Sequence, residues 1–138
     1  MKKILVVLVM GLIMMFNGLC FAADGNDLNK EQKIAEDFMQ VFWQEQLPDY
    51  NKISENLSEK LKTDLNEKQY IDLQKNVKDK FGILKEAKFY SFQRFDQGDR
   101  VSYLVSFDKQ PISTIIFAFD KNQKLENYAI VPLQKKTE

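Results

Sequence analysis

The chain has no histidine, one cysteine, three prolines and five glycines in 138 residues. Each scarcity excludes something. Without histidine there is no Ser-His-Asp or Cys-His machinery, and the commonest zinc sites cannot form. A lone cysteine rules out a disulfide framework and a cysteine-rich metal centre. The glycines are too few and too scattered for a GxGxxG or GxxxxGK[ST] loop, so a phosphate cradle has no sequence support. Net charge is also missing. Twenty basic side chains balance twenty acidic ones, and no strong field draws the chain to nucleic acid or an anionic surface.

What is present begins with an export signal. Lys2 and Lys3 precede the uncharged apolar run Ile4 to Phe16, and Cys20-Phe21-Ala22 puts small residues at the −3 and −1 positions of a cleavage site. Residues 1–22 therefore read as a signal peptide, cleaved between Ala22 and Ala23. The run is too short for a transmembrane helix, so no membrane span is expected after its removal. Cys20 offers an alternative, lipidation that anchors the chain to a membrane. The bulky Leu19 before it is not what a lipobox requires, and simple cleavage is preferred. The expected location is periplasmic or extracellular. Removal of residues 1–22 leaves 18 basic and 20 acidic residues and no thiol. Stability must then come from an apolar core, which one domain of this size can supply.

Residues 23–29 are polar and read as a flexible leader, with Asn29 as a cap and Gln32 in capping-box position. Lys30 to Gln46 has helical spacing through Ile34, Phe38, Val41 and Phe42, and Pro48 closes the segment. A second helix is expected over Asp49 to Leu65, where Ile53, Leu57 and Leu61 stand four apart. A third runs from Asn66 to Phe81, with Asn66 and Gln69 as a capping box and Gly82 as the stop. From Ile83 the period falls to two. Strands are expected in Lys85–Phe95, Arg100–Asp108, Ile112–Phe119 and Lys124–Val131, separated by short turns. The tail 134–138 is polar. Three helices followed by an antiparallel meander make an α+β domain, the helices lying on one face of a curved four-stranded sheet.

That order resembles the NTF2-like (cystatin-like) α+β fold, and more narrowly the small secreted bacterial NTF2-like domains of unknown function. The resemblance rests on Asp49-Tyr50 opening the second helix, Phe81-Gly82-Ile83-Leu84 leading into the first long strand, and the turn Asp120-Lys121-Asn122-Gln123 before the last one. It covers about residues 30–133. It implies a cone in which the sheet wraps the first helix and encloses an apolar pocket. Such folds include isomerases, dehydratases, transport factors and accessory domains, so the fold does not assign the function. The absence of histidine departs from the hydratase-like members.

Aromatic residues are the most distinctive resource. Phe38, Phe42, Tyr50, Tyr70, Phe81, Phe89, Tyr103, Phe117 and Tyr128 are the candidates to line a pocket for a small apolar ligand. Plain core packing accounts for the same rings. Among carboxylates, Asp37 is best placed for acid–base work because it adjoins the apolar stripe, although a solvated helix flank is the simpler reading. Asp96-Gln97-Gly98-Asp99 superficially suggests a calcium loop but reads as a turn. No cofactor and no catalytic residue is assigned. The leading expectation is an exported, non-catalytic accessory or binding module, with a small apolar ligand, a protein partner or a second copy docked through the sheet. The aromatic face of the second and third strands is expected to supply that contact. An Asp/Tyr enzyme (isomerase, lyase or hydrolase) and an envelope-tethered lipoprotein domain are the alternatives.

Overall fold

The apolar stripe of the first helix decides how everything else packs. In the computed structural model, which describes residues 25–43 and 46–133, α1 (Gly25–Trp43) buries Ile34, Ala35, Phe38, Met39, Val41 and Phe42. The helix begins earlier than its local signals predict. Asn29 is an interior residue rather than a cap, and positions 25–29 of the expected leader are helical. The first turn carries Asp27, whose charge suits the positive end of the helix dipole. The signal cleavage site Ala22–Ala23, Cys20 and residues 134–138 lie outside the described residues.

The expected second helix is two short ones, so the described chain has four helices and not three. α2 (Tyr50–Ser54) and α3 (Glu59–Asp64) flank a stretch whose backbone bonds to the sheet instead of to itself. Leu125 N–H donates to Asn56 O (2.7 Å) and Ser58 N–H donates to Leu125 O (2.8 Å), which makes a parallel bridge between Leu57 and Leu125. Ser58 then caps α3, its Oγ accepting from the Leu61 N–H. Ile53, Leu57, Leu61 and Leu65 are all buried despite the break. A four-residue apolar spacing is thus satisfied without a continuous helix.

α4 (Glu67–Phe81) starts with the expected reciprocal capping box between Asn66 and Gln69 and stops at Gly82. Gly82 has φ +88°, the left-handed conformation that a side chain resists. β1 (Leu84–Phe95), β2 (Gly98–Phe107), β3 (Ser113–Asp120) and β4 (Leu125–Pro132) form one open sheet in the order β1-β2-β3-β4. All three pairings are antiparallel.

Alternation separates the two faces of this sheet. Val101, Tyr103, Val105, Phe107, Ile115, Phe117 and Phe119 point inward and are buried with the helical stripe. Ser102 pairs with Ile116 and Ile116 with Ala129 on the opposite face, and Leu104 pairs with Thr114 and Thr114 with Val131. The aromatic side of β2 and β3, expected to dock a partner, is therefore the core side. The side facing away from the helices mixes aliphatic and hydroxyl residues of β2, β3 and β4 with Glu86, Lys88 and Gln93 of β1 and Arg100 of β2.

Gly98 closes the β1–β2 hairpin in a space no side chain shares. Its φ is +155°, and a Cβ there would lie 1.9 Å from the Phe119 carbonyl oxygen. Gly98→Ala is expected to cost about 2–4 kcal/mol, because backbone must move to admit the methyl group. Chemical denaturation checks this, and a midpoint unchanged from wild type would contradict it.

Candidate functional site

The residues expected to line a pocket line one another. Phe38 packs against Phe42 and Phe117 with ring centroids 6.0 Å apart in each case, and against Tyr128 at 4.9 Å. Phe81 stacks on Phe107 at 5.4 Å, Tyr103 meets Phe117 edge-on at 6.0 Å, and Tyr50 lies 5.4 Å from Tyr70. These are the offset and edge-to-face geometries of a filled aromatic core. Phe89 differs. It is 43 % exposed and covers the edge of Tyr103 from outside.

Three of the phenol groups have partners within the protein. Tyr50 donates to Leu65 O (2.7 Å) and Tyr70 to Pro48 O (2.8 Å), pinning the α1–α2 and α3–α4 connections. Tyr103 reaches the α1 backbone at Gln32 O (3.4 Å) and the Glu36 carboxylate (3.3 Å). Burial pushes the phenols of Tyr70, Tyr103 and Tyr128 up, and the Asp49 charge adds to this at Tyr70 and Glu36 at Tyr103. Asp37 is a surface residue that pairs with Lys33 at 3.3 Å.

Polar chemistry gathers instead where the two hairpin ends meet the amino end of α1. Arg94, near the end of β1, faces Asp99 across the ladder. It donates through Nε to Asp99 Oδ1 (2.9 Å) and through Nη2 to Asp99 Oδ2 (2.9 Å), a two-point grip that suits the guanidinium fork. The same Nη2 donates to Asp27 Oδ2 at 2.8 Å. Gln123 holds the other Asp27 oxygen through Nε2. Gln123 adopts φ +63° in the β3–β4 turn, which Asp120 organises by accepting from the N–H groups of Asn122 (2.9 Å) and Lys124 (3.0 Å). Two separate stretches of chain, the end of β1 and the β3–β4 turn, thus converge on Asp27. The Arg94 hydrogen bond, and the smaller one from Gln123, hold its carboxyl below the usual range.

Behind this clasp lies Glu31, one turn along α1 from Asp27. Its side chain is fully buried, and when protonated it hydrogen-bonds to the neighbouring Asp99 carboxylate. Burial first, then the neighbouring Asp99 carboxylate, push its pKa up to about 9, while Arg94 pulls the other way. At neutral pH Glu31 therefore carries its proton. In front of the clasp is a solvent-open depression of about 370 Å³, bordered by Asp27, Arg94, Phe95, Asp99, Lys121 and Gln123. Its mixed charges suit a small polar or zwitterionic solute better than an apolar one. Glu31 does not reach it, so no proton donor faces the depression from that residue.

Of the predicted pocket residues, none borders this depression. Among the described residues, no group of three or more Asp, Glu, His or Cys side chains is arranged to hold a metal ion. No helix among them is long and apolar enough to cross a membrane. Compared with known proteins, the chain matches no family model, no curated protein and no solved structure.

Two outcomes follow from the clasp. Arg94→Ala strands Asp99, which is nearly buried, and is expected to destabilise the protein by about 2–3 kcal/mol; Arg94→Lys restores only part, since a single ammonium cannot reproduce the two-point grip. Equal stability of all three proteins in denaturant titration would refute this. Asp27→Asn should lower the melting temperature at neutral pH. A depressed folded pKa gives stability above the unfolded value that is lost on acidification, so the gap to wild type should close as pH falls from 3.8 through the lower folded value. A gap that persists in acid would count against the charge as its cause.

Proposed function

We propose that this chain is an exported, non-catalytic accessory domain of NTF2-like type that works by binding another protein surface, in the first instance a second copy of itself. Residues 1–22 carry the pattern of an export signal, and the α+β order with an antiparallel meander suits the NTF2-like fold. The register shifts in β1, between Leu84 and Glu86 and between Phe89 and Ser91, supply the bends by which a sheet curls around a helix.

One observation carries the reading. The aromatic residues that would receive an apolar ligand are packed against one another, and one of the exposed large apolar side chains, Leu104, stands on the outer sheet face. That face presents the exposed Leu104 and Ala129 with the half-buried Ile116, Thr114 and Val131 beside them, while Lys88 and Arg100 stand toward its margins. A charge-poor centre with a charged rim is the anatomy of a protein interface. The Asp/Tyr enzyme alternative has less to stand on, since the Tyr103 hydroxyl is bonded to α1 and Asp37 is paired at the surface.

Sedimentation velocity tests the reading on protein purified after export. A concentration-dependent dimer is expected, and Leu104→Asp, at the exposed large apolar residue of that face, should return it to monomer while the protein still unfolds cooperatively. Wild-type protein that stays monomeric at high concentration, with no partner retained on purification, would overturn the proposal. Mass spectrometry of the mature protein is expected to find Ala23 as the first residue. A lipidated Cys20 would instead establish the tethered form.

A further inference from the structure

The outer face of the sheet is uneven, and its exposed large apolar groups gather at the end away from the β1–β2 turn. Leu104 is 38 % exposed and Ile112 is 52 % exposed. Both border a depression of about 210 Å³, together with Pro111, Ser106, Glu86 and Lys88. A small-molecule site usually has roughly 300–1,000 Å³, so this smaller space suits an inserted side chain. The described chain ends beside it, since Leu133 N–H donates to Ile112 O (3.0 Å). Residues 134–138, Gln-Lys-Lys-Thr-Glu, bring no apolar group to fill it. Resting on the self-association proposed above, we infer that two copies pack outer face to outer face with β1 running antiparallel over β1. Leu104 of each copy then enters the depression of the other, and Glu86 of each meets Lys88 of the other.

The register of the sheet gives the reason. Glu86 is level with Ser106, and Lys88 is level with Leu104 and Thr114. Ile112 precedes Ser113, which is level with Val105, so it stands in the row of Glu86 and Ser106. A two-fold interface brings residue i onto j and j onto i. An axis lying across the strands at the level of Ala87 and Val105 lays the row of Glu86, Ser106 and Ile112 on the partner's row of Lys88, Leu104 and Thr114. One operation thus meets two independent requirements. Leu104 faces the partner's Ser106 and the partner's Ile112, where the depression is, and each carboxylate faces an ammonium. An axis along β1 would put Glu86 on Glu86 and Lys88 on Lys88, which like charge opposes. An axis along β2 would put Leu104 on Leu104 and leave both depressions unfilled.

Distance and strength agree with this arrangement. Packed sheets lie about 10 Å apart, a gap that a glutamate and a lysine span together. Their strands stay within about 30° of one another, close enough to keep the pairing over the short span from Glu86 to Lys88. Within one copy these two side chains are 3.7 Å apart and exposed, a contact that contributes little alone. Crossed with the same pair of a second copy, they form four charges of alternating sign beside the apolar contact, which fixes the orientation of the two copies.

Sedimentation equilibrium of the exported protein at low salt tests the arrangement. Glu86→Lys and Lys88→Glu should each weaken self-association about tenfold, because each turns both crossed pairs into like charges. An equimolar mixture of the two variants should recover wild-type affinity through the heterodimer. The double variant Glu86→Lys/Lys88→Glu should recover it as a homodimer. That variant keeps the composition and net charge of the wild type, so its recovery also excludes a folding defect as the cause of the weakening. Single variants that associate as tightly as wild type, or a mixture no tighter than its components, would overturn the crossed arrangement. A wild-type dimer that Leu104→Asp disrupts would still uphold the outer-face reading in that case, whereas a wild-type monomer would overturn both.

Discussion

A single guanidinium joins parts of the chain that no covalent or backbone bond connects at that end. Arg94 grips Asp99 across its own hairpin and reaches Asp27 on a helix 67 residues earlier in sequence. The bridge adds to the contacts that hold the amino end of α1, where Leu28 packs on the core and Tyr103 bonds Gln32, ahead of the fully buried stripe that begins at Ile34. The clasp grips α1 within residues 25–29, which are helical although their local sequence reads as leader. It also positions the mixed-charge depression at the hairpin end. The aromatic core fixes the other end and the middle of the same helix, so α1 is held by chemistry of two kinds along its length.

Much of this was legible from spacing. The stripe of α1, the Asn66–Gln69 box, the stop at Gly82 and the four strands with their short turns are local features, and each appears where local rules put it. What misled was a pattern with two solutions. Ile53, Leu57 and Leu61 at intervals of four fit a continuous helix, yet the same residues are buried when a bridge to Leu125 interrupts it. A residue 68 positions away made that choice, and no window around Leu57 contains it.

The candidate site was harder to read, for a related reason. Asp37 adjoins the stripe in sequence, but it sits on the flank and pairs with Lys33. Glu31 lies on the stripe itself, three residues before Ile34, four before Ala35 and seven before Phe38. Extending the helical period one step toward the amino terminus would have found it. That step was blocked by Asn29, which looks like a cap and so places Glu31 in a frayed first turn. The aromatic residues show the opposite case. Their burial was legible, but whether rings enclose space or fill it depends on how side chains from α1, α4 and the sheet interlock, which periodicity does not encode.

The sheet is open, so it has two edges, and they are guarded differently. Along β1, Lys85 pairs with Asp108 and Lys88 with Glu86, charges that discourage another strand from adding, and the two register shifts twist that margin out of line. On the far side, the Asn56–Ser58 segment occupies the start of β4 at Leu125, and Pro132 ends the strand without an N–H to offer. Lateral growth into fibrils is impeded from both margins.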